Sequence, residues 1–196
     1  MKVGVLALQG AFAAHGALLD RLGVSPVQVR TPQQLADVDR LVLPGGESTT
    51  MSMMLERSGL TEPLEGFIAA GRPVLGTCAG AILLSSEIVG GREDQVCLSA
   101  LPVRAERNAF GRQLESFEAD IDVLGMEGGA FHGVFIRAPR LEAIDNGAIV
   151  DAPAPLEVLA EIDGSPALVR SGFVMASTFH PELSGDTRLH DMFCEI

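Results

Sequence analysis

Short apolar runs alternate with longer amphipathic segments along the first half of the chain. The runs have the length of buried strands, whereas the segments between them repeat apolar residues at helical spacing. This alternation predicts a three-layer α/β/α arrangement, with a mostly parallel sheet covered on both faces. The predicted strands are 2–8, 27–30, 41–43 and 73–75. The first predicted helix is 12–22. A second helix ends at residue 57 and is capped by Ser48 or Thr49, and a third ends at residue 70 and is capped by Thr61.

The pattern changes after residue 84, where extended segments are separated by turn signals. Such segments predict hairpins and antiparallel additions to the sheet, followed by a closing helix over 187–194. The most linker-like stretch, 151–155, has five residues and is better interpreted as a loop than as a domain boundary, so we expect one domain over residues 1–196. The predicted extended segments are 101–108, 113–123, 133–137, 156–163, 167–170 and 173–179.

Composition narrows the possible classes of protein. Hydrophobic residues make up 47% of the chain and charged residues 20%, which is ordinary for a globular protein. The net charge of −12, without a lysine or arginine cluster, disfavours nucleic acid as a partner because phosphates and an acidic surface repel each other. No apolar run has the length of a membrane span and the N-terminus lacks a signal-peptide pattern, so we expect a soluble, cytoplasmic protein.

The cysteines are the first candidates for a reactive side chain. Cys78, Cys97 and Cys194 are an odd number at wide separations, which suits reduced thiols and gives no C-x-x-C signature of a metal or redox site. Cys78 stands out because Gly76-Thr77-Cys78-Ala79-Gly80 follows a predicted strand and leads into a predicted helix. Such a strand–turn–helix elbow exposes a nucleophile, and a helix N-terminus favours a thiolate. The alternative is a buried cysteine that only fills apolar space.

A base for this thiol is available in His180-Pro181-Glu182, at the end of the last predicted strand. His180 can take the proton of Cys78 and return it to a leaving amine, while Glu182 fixes the imidazole tautomer. We expect strand-like spacing to place positions 180 and 182 on the same side. The other three histidines, His15, His132 and His190, are predicted to be surface or packing residues.

A third constellation, Leu43-Pro44-Gly45-Gly46-Glu47-Ser48-Thr49, also joins a predicted strand to a predicted helix. Its two glycines allow backbone N–H groups to point into a cleft, as an oxyanion hole requires. A glycine-rich turn before a helix can instead hold a phosphate. The segment lacks the lysine of a P-loop and the third glycine of a dinucleotide fingerprint, so both nucleotide interpretations are weak.

With all three constellations present, the chain resembles the class I, triad-type glutamine amidotransferases, and more narrowly the glutaminase subunits of pyridoxal 5'-phosphate synthases. The resemblance implies a flavodoxin-like α/β fold with antiparallel additions. The superfamily pattern is the cysteine elbow together with His180-Pro181-Glu182. The narrower match rests on residues 4–10, 43–50, 106–113, 116–120 and 135–139, which span nearly the whole chain in order.

The resemblance implies a role for each matching residue. Cys78 would attack the side-chain amide of glutamine, His180 would act as base and then acid, and Glu182 would orient His180. The backbone N–H groups of Gly46 and Ala79 would stabilise the oxyanion. No metal or organic cofactor is implied. The implied glutamine contacts are Gly46, Glu47, Ser48, Arg107, Ile136 and Arg137.

The resemblance also implies a partner, a synthase subunit that receives the ammonia and forms a large hetero-oligomer with the glutaminase. The region around Gln9 would lie near the docking surface, and the Gly45-Gly46 peptide would reorient when the synthase binds. We therefore expect weak glutaminase activity from the isolated chain.

Three alternatives remain open at this point. The chain could be the glutaminase of another biosynthetic amidotransferase, although 106–113 and 135–139 argue against that. It could be a non-catalytic scaffold or regulatory subunit of the same fold, which the intact Cys78, His180 and Glu182 disfavour. A cysteine hydrolase of some other amide would need no partner for turnover.

Overall fold

The computed structural model describes residues 1–107, 116–144 and 153–196. Three predicted segments therefore fall partly outside the described residues: position 108 of one extended segment, 113–115 of the next, and 151–152 of the predicted loop.

A seven-stranded sheet forms the centre of the described structure. The strands β2, β1, β3, β4 and β12 lie side by side in this order and run parallel. This is the flavodoxin-like strand order, in which ligands bind beyond the carboxyl ends of the strands. The antiparallel pair β10 and β11 extends the sheet beyond β12. The strands are β1 (Lys2–Leu6), β2 (Ser25–Val29), β3 (Arg40–Leu43), β4 (Val74–Thr77), β10 (Glu157–Ile162), β11 (Ser165–Ser171) and β12 (Val174–Ser177).

Helices cover both faces of this sheet, as the alternating sequence pattern predicts. Alternation along β3 shows why: Leu41 and Leu43 pack into the core on one face, and Val42 packs into the core on the other. The first face carries α2 (Pro32–Ala36), α3 (Ser48–Ser58), α4 (Thr61–Ala69) and α5 (Ala79–Leu84), and the second carries α1 (Phe12–Arg21) and α6 (Arg188–Cys194). The three-layer α/β/α prediction is confirmed.

Two small sheets complete the described structure. The first contains β5 (Ser85–Val89), β6 (Leu101–Glu106) and β9 (Arg140–Ala143) and packs on the first face. The second is the antiparallel hairpin of β7 (Ser116–Ile121) and β8 (Phe131–Ile136), which packs on the second face. The sequence analysis predicted neither β5 nor β9, because short strands at the edge of a small sheet carry little periodic signal.

The starts of α2, α3 and α4 differ from the prediction. Helix α2 was not predicted, although Thr31 and Gln34 form a capping box around Pro32, which is a recognisable start signal. Helix α3 is capped by Glu47 rather than by Ser48 or Thr49, because the Glu47 carboxylate reaches the N–H groups of the first turn. Helix α4 begins after Leu60 without a side-chain cap, so the predicted capping role of Thr61 is wrong.

Within the described ranges, the longest and most apolar helices still fall short of what a bilayer crossing requires.

Candidate active site

The loops that follow four parallel strands meet at one edge of the main sheet. Gln9 follows β1, Gly46 follows β3, Cys78 follows β4 and His180 follows β12. Parallel strands present their carboxyl ends on the same side, which is why residues distant in sequence converge here. The resulting cleft has a volume of about 270 Å³. Its lining consists of Gln9, Gly46, Glu47, Ser48, Cys78, Ile82, Arg107, Ile136, Arg137 and His180.

Almost every site residue expected from the sequence lines this cleft. Glu182 lies behind His180, and Ala79 is buried beneath Cys78 as the first residue of α5. Ile82, one turn further along α5, is the lining residue that the sequence analysis missed. A helical spacing of four from Cys78 is the signal that could have found it.

The elbow places Cys78 in an uncommon backbone conformation, with φ 48° and ψ −99°. Only a tightly packed turn holds a side chain in this region. Gly76 and Gly80 make the turn possible through close approach: a Cβ on Gly76 would lie 2.7 Å from the carbonyl carbon of Gly80, and one on Gly80 would overlap the carbonyl oxygen of Leu43. The glycines therefore spare the turn a steric clash, as the motif predicts.

His180 and Glu182 form a buried pair, with His180 Nδ1 2.7 Å from Glu182 Oε1. The expected strand-like spacing is wrong, since β12 ends at Ser177 and a 3-10 helix spans Pro181–Leu183. The tight turn brings the Glu182 carboxylate back to the imidazole that precedes it. His180 Nδ1 therefore donates to Glu182, which leaves Nε2 for the thiol side of the cleft.

Two partners determine the charge of His180. Burial disfavours the imidazolium, but hydrogen bonds with Cys78 and Glu182 outweigh it and raise the pKa of His180 to about 10. His180 is therefore protonated at neutral pH. A thiolate beside an imidazolium is the reactive state of a cysteine nucleophile.

The Gly45–Glu47 loop is held by the segment that follows β1. The Ala11 N–H donates to the Gly45 carbonyl oxygen at 3.2 Å, and the Glu47 N–H donates to Gln9 Oε1 at 3.2 Å. A Cβ on Gly46 would lie 2.6 Å from Gln9 Nε2, so a larger residue would displace that side chain. The loop conformation thus depends directly on Gln9.

Gly45 lies against the imidazole on the other side of the same loop. A Cβ at this position would lie 2.8 Å from His180 Nδ1, so the second glycine makes room for the histidine ring. The double glycine therefore serves two neighbours, the His180 ring and the Gln9 amide.

Glu47 and Arg107 form a half-buried ion pair at the wall of the cleft, with Arg107 Nη2 2.9 Å from Glu47 Oε1. The other Arg107 nitrogen, Nη1, donates to Thr49 Oγ1 at 2.9 Å. Partial burial would raise the pKa of Glu47, but hydrogen bonds from Thr50 and Thr49 lower it to about 2. Glu47 is therefore a fixed negative charge beside a fixed positive charge.

Ile136 and Arg137 close the cleft from the β7–β8 hairpin. The Ile136 carbonyl oxygen lies 3.9 Å from Cys78 Sγ, within reach of an S–H donor. Arg137 follows with φ 44°, an uncommon conformation for an arginine, and its side chain is exposed at the cleft. The structure thus brings both residues to the cleft.

The remaining histidines divide into two kinds. His132 is exposed and lies 2.9 Å from Asp120 and 3.1 Å from Glu118, as a surface residue would. His15 and His190 are fully buried and 2.8 Å apart, and His15 Nε2 lies 3.3 Å from Glu182 Oε2. Burial of His15 follows from the face it shares with Leu18 and Leu19 on α1. Its contact with Glu182 carried no sequence signal.

Among residues 1–107, 116–144 and 153–196, no three histidine, cysteine or acidic side chains are grouped so as to hold a metal ion.

The fold and the site together are those of a glutamine amidotransferase. A crystal structure described as a glutamine amidotransferase matches with a TM-score of 0.88 and 47% sequence identity, covering 98% of this chain and 97% of that one.

The sequence profile of the SNO glutamine amidotransferase family matches residues 5–196, and the chain belongs to this family. A relative from Frankia alni is 48% identical over 100% of this chain and 94% of its own length. A relative from Roseiflexus sp. (strain RS-1) is 50% identical over 98% of both chains. Each relative is named pyridoxal 5'-phosphate synthase subunit PdxT.

Proposed function

We propose that this chain is the glutaminase subunit of a pyridoxal 5'-phosphate synthase, acting as one domain over residues 1–196. It hydrolyses glutamine to glutamate and ammonia and delivers the ammonia to a synthase subunit. The observation that carries the proposal is that Cys78 and His180 line one cleft of amino-acid size at the end of the parallel sheet, with Glu182 bound to His180 from behind. The family and the names of the relatives support the reaction and the pathway.

The reaction begins at the Cys78 thiolate. Its sulfur attacks the side-chain amide carbon of glutamine, and the carbonyl electrons move onto oxygen to form a tetrahedral oxyanion. His180 then gives its proton to the amide nitrogen, the C–N bond breaks, and ammonia leaves a thioester. Water attacks the thioester while His180 takes its proton, and collapse of the second intermediate expels the thiolate and releases glutamate.

The oxyanion is assigned to the backbone N–H groups of Gly46 and Ala79. The Ala79 N–H is at the start of α5, where helix geometry leaves donors without carbonyl partners within the helix. A preorganised donor of this kind is worth about 3 kcal/mol in the transition state. Gly46 sits on the loop that Gln9 holds, so one of the two donors depends on the conformation of that loop.

Glutamine binding is assigned to the Glu47–Arg107 ion pair and to the β7–β8 hairpin. The α-carboxylate of glutamine matches the Arg107 guanidinium, and its α-ammonium matches the Glu47 carboxylate. Both charges are fixed at neutral pH, since Glu47 has a pKa of about 2. Gly46, Ser48, Ile136 and Arg137 complete the lining and orient the amide towards Cys78.

The synthase partner follows from the product. Ammonia released into water is protonated and lost as a nucleophile, so a biosynthetic glutaminase works docked to the subunit that uses the ammonia. Gln9, half-buried at the rim of the cleft, is the residue through which docking would reach the oxyanion loop. The complex would be a hetero-oligomer of both subunits.

The test uses the chain purified together with its synthase subunit. We expect glutamate release from glutamine and coenzyme formation that depends on glutamine, and we expect Cys78→Ala to abolish both. The Cys78→Ala complex should still form coenzyme when ammonium is added, because the synthase subunit remains intact.

Each alternative function predicts a different result. Equal glutamate release by the wild type and Cys78→Ala would indicate a non-catalytic subunit. Glutamate release without coenzyme formation, by a chain that does not copurify with the synthase, would indicate the glutaminase of another amidotransferase. Full turnover of a different amide without any partner would indicate a cysteine hydrolase.

A further inference from the structure

A buried polar chain continues behind the Cys78–His180–Glu182 contact. Glu182 uses Oε1 for His180, and its second oxygen, Oε2, is buried without a full hydrogen bond from any described residue. His15 Nε2 lies 3.3 Å from Oε2. A buried carboxylate oxygen without a donor is costly, so the atom that approaches it matters for the charge of Glu182.

His15 is held in place from three directions. Its Nδ1 lies 2.8 Å from His190 Nε2 on α6, and its Nε2 lies 3.3 Å from Thr77 Oγ1 at the end of β4. Both histidines have no exposed surface. The ring of His15 therefore connects the nucleophile elbow, the carboxylate of Glu182 and the last helix.

The available hydrogen-bond donors and acceptors favour one tautomer of His15. A single proton lies between His15 Nδ1 and His190 Nε2 when both rings are neutral. If His190 donates it, His15 carries its own proton on Nε2, which faces Glu182 Oε2. If His15 donates it, the Thr77 hydroxyl can donate to the lone pair on His15 Nε2, but that lone pair also faces the carboxylate, and His190 keeps an N–H at Nδ1, an atom that is buried without a partner among the described residues. The first arrangement is therefore favoured.

The charge states agree with this arrangement. Burial, the neighbouring His190 and His180 hold the pKa of His15 well below its usual value, and burial lowers the pKa of His190 to about 4. Both rings are neutral at neutral pH. The titratable and polar groups that face His15 are His190 from α6, Thr77 from β4, and His180 and Glu182 from the 3-10 turn and the residue before it.

We propose that His15 is a positioning residue for Glu182: its Nε2–H holds the second carboxylate oxygen, and His190 fixes the tautomer that places the proton there. This inference rests on the proposed function. The oriented Glu182 then keeps its charge directed at His180 Nδ1, which maintains the imidazolium beside Cys78. Without His15, the Glu182 carboxylate can rotate away from His180, and His180 loses part of its support.

The variants are His15→Leu, His15→Gln and His190→Leu, with the exposed His132→Leu as a matched control. Leucine removes both ring nitrogens, whereas a glutamine amide N–H can reach the place of Nε2. In the complex with the synthase, we expect His15→Leu to lower kcat for glutamate release about 10- to 100-fold, with KM within about twofold. We expect His15→Gln to recover most of kcat, His190→Leu to lose less than His15→Leu, and His132→Leu to match the wild type.

The pH profile separates positioning from a general packing defect. Since Glu182 supports the imidazolium, the alkaline limb of kcat/KM should move to lower pH in His15→Leu and return in His15→Gln. Equal losses in the leucine and glutamine variants, together with an unchanged pH profile, would indicate a structural role and overturn the proposal. An unchanged kcat in His15→Leu would also overturn it.

A measurement without turnover tests the tautomer directly. Nitrogen-15 NMR of the histidine side chains should show His15 neutral with its proton on Nε2, and the His15 signals should change in His190→Leu. A proton on Nδ1 of His15 would overturn the proposal even if the enzyme is active. Conversely, an Nε2–H tautomer in a protein whose Cys78→Ala variant releases as much glutamate as the wild type would leave the polar chain intact but refute both the proposed function and the contribution of His15 to it.

Discussion

Cys78 is held in a conformation that side chains rarely adopt, and the cost of such a residue is of order 1–3 kcal/mol. The surrounding glycines allow this cost to be met by tight packing, because Gly76 and Gly80 let β4, α5 and β3 approach each other within backbone contact. The conformation of Cys78 thus depends on the absence of side chains at Gly76 and Gly80.

Gly80→Ala tests this dependence. Its Cβ would overlap the Leu43 carbonyl oxygen, so we expect a loss of about 2 kcal/mol in the free energy of unfolding, measured by urea denaturation, and a large loss of glutaminase activity. Gly66→Ala on α4 is the matched control, because among the described residues no atom beyond its chain neighbours and its own helix backbone lies within 4 Å of its added Cβ. It should stabilise the protein by about 0.5–1 kcal/mol. Equal stability of both variants would contradict the close-approach explanation.

The charge on His180 leads to a pH prediction. The pKa of about 10 is raised above the usual 6.5, so the imidazolium persists through neutral pH and is lost as pH rises through about 10. Glu182→Gln removes the negative partner, and we expect kcat to fall about 100-fold or more and the alkaline limb of kcat/KM to move towards lower pH. Exposed Glu161→Gln is the control. An alkaline limb that does not move would show that Glu182 does not support the imidazolium.

Helix α3 is the element through which the proposed glutamine binding and local stability are coupled. Its cap, Glu47, accepts the N–H groups of Thr49 and Thr50 at 3.0 and 2.7 Å and also pairs with Arg107. One side chain therefore starts the helix and forms part of the charged wall of the cleft. A carboxylate in this position also interacts favourably with the helix dipole.

Glu47→Gln should weaken both functions. We expect a loss of about 1 kcal/mol in unfolding free energy at pH 7 and a raised KM for glutamine. The native pKa of Glu47 is depressed from 4.5 to about 2, so the stability that its charge contributes is present above pH 4.5 and is lost as pH falls through about 2. The difference between variant and wild type should therefore shrink over that window.

The control for this prediction lies on the same helix. Glu56 is exposed in the last turn of α3, where a negative charge opposes the dipole, so Glu56→Gln should not destabilise the protein. A pH-independent difference between Glu47→Gln and the wild type would show that the carboxylate charge is unimportant to the cap.

At the scale of the whole molecule, the order of the parallel strands assembles the site. The loops after β1, β3, β4 and β12 reach the same edge of the sheet, and the hairpin of β7 and β8 closes the cleft from the second face. The Gly45–Glu47 loop is tied to Gln9 and Ala11 near the rim, so an event at the molecular surface can reach the cleft through few contacts.

This arrangement predicts dependence on the partner. We expect the isolated chain to release glutamate about 100-fold more slowly than the chain with its synthase, the effect of one poorly placed oxyanion donor. Gln9→Ala should lose much of this stimulation, whereas Gln33→Ala, an exposed glutamine on α2, should keep it. The measurement is a glutamate-release assay with and without the synthase. Full activity of the isolated chain would contradict the prediction.

The sequence by itself determined the features that depend on neighbouring residues. Strand–helix alternation indicated the parallel sheet, the two glycines around Cys78 indicated the elbow, and the segment from His180 to Glu182 indicated a base with its carboxylate. These signals are local because backbone stereochemistry and side-chain periodicity act over a few residues. Where a local signal was overlooked, as at the Thr31 capping box, the start of a helix was missed.

The tertiary structure decided what depends on residues far apart in the sequence. The contact between His15 and His190 joins positions 175 residues apart, and the ion pair of Arg107 with Glu47 joins positions 60 apart. Such contacts arise only when the sheet order brings several elements to one place. Burial then strengthens the interactions between these groups, because charges and hydrogen bonds act more strongly where water is excluded. The sequence thus determined the reactive groups, and the fold decided how they are supported.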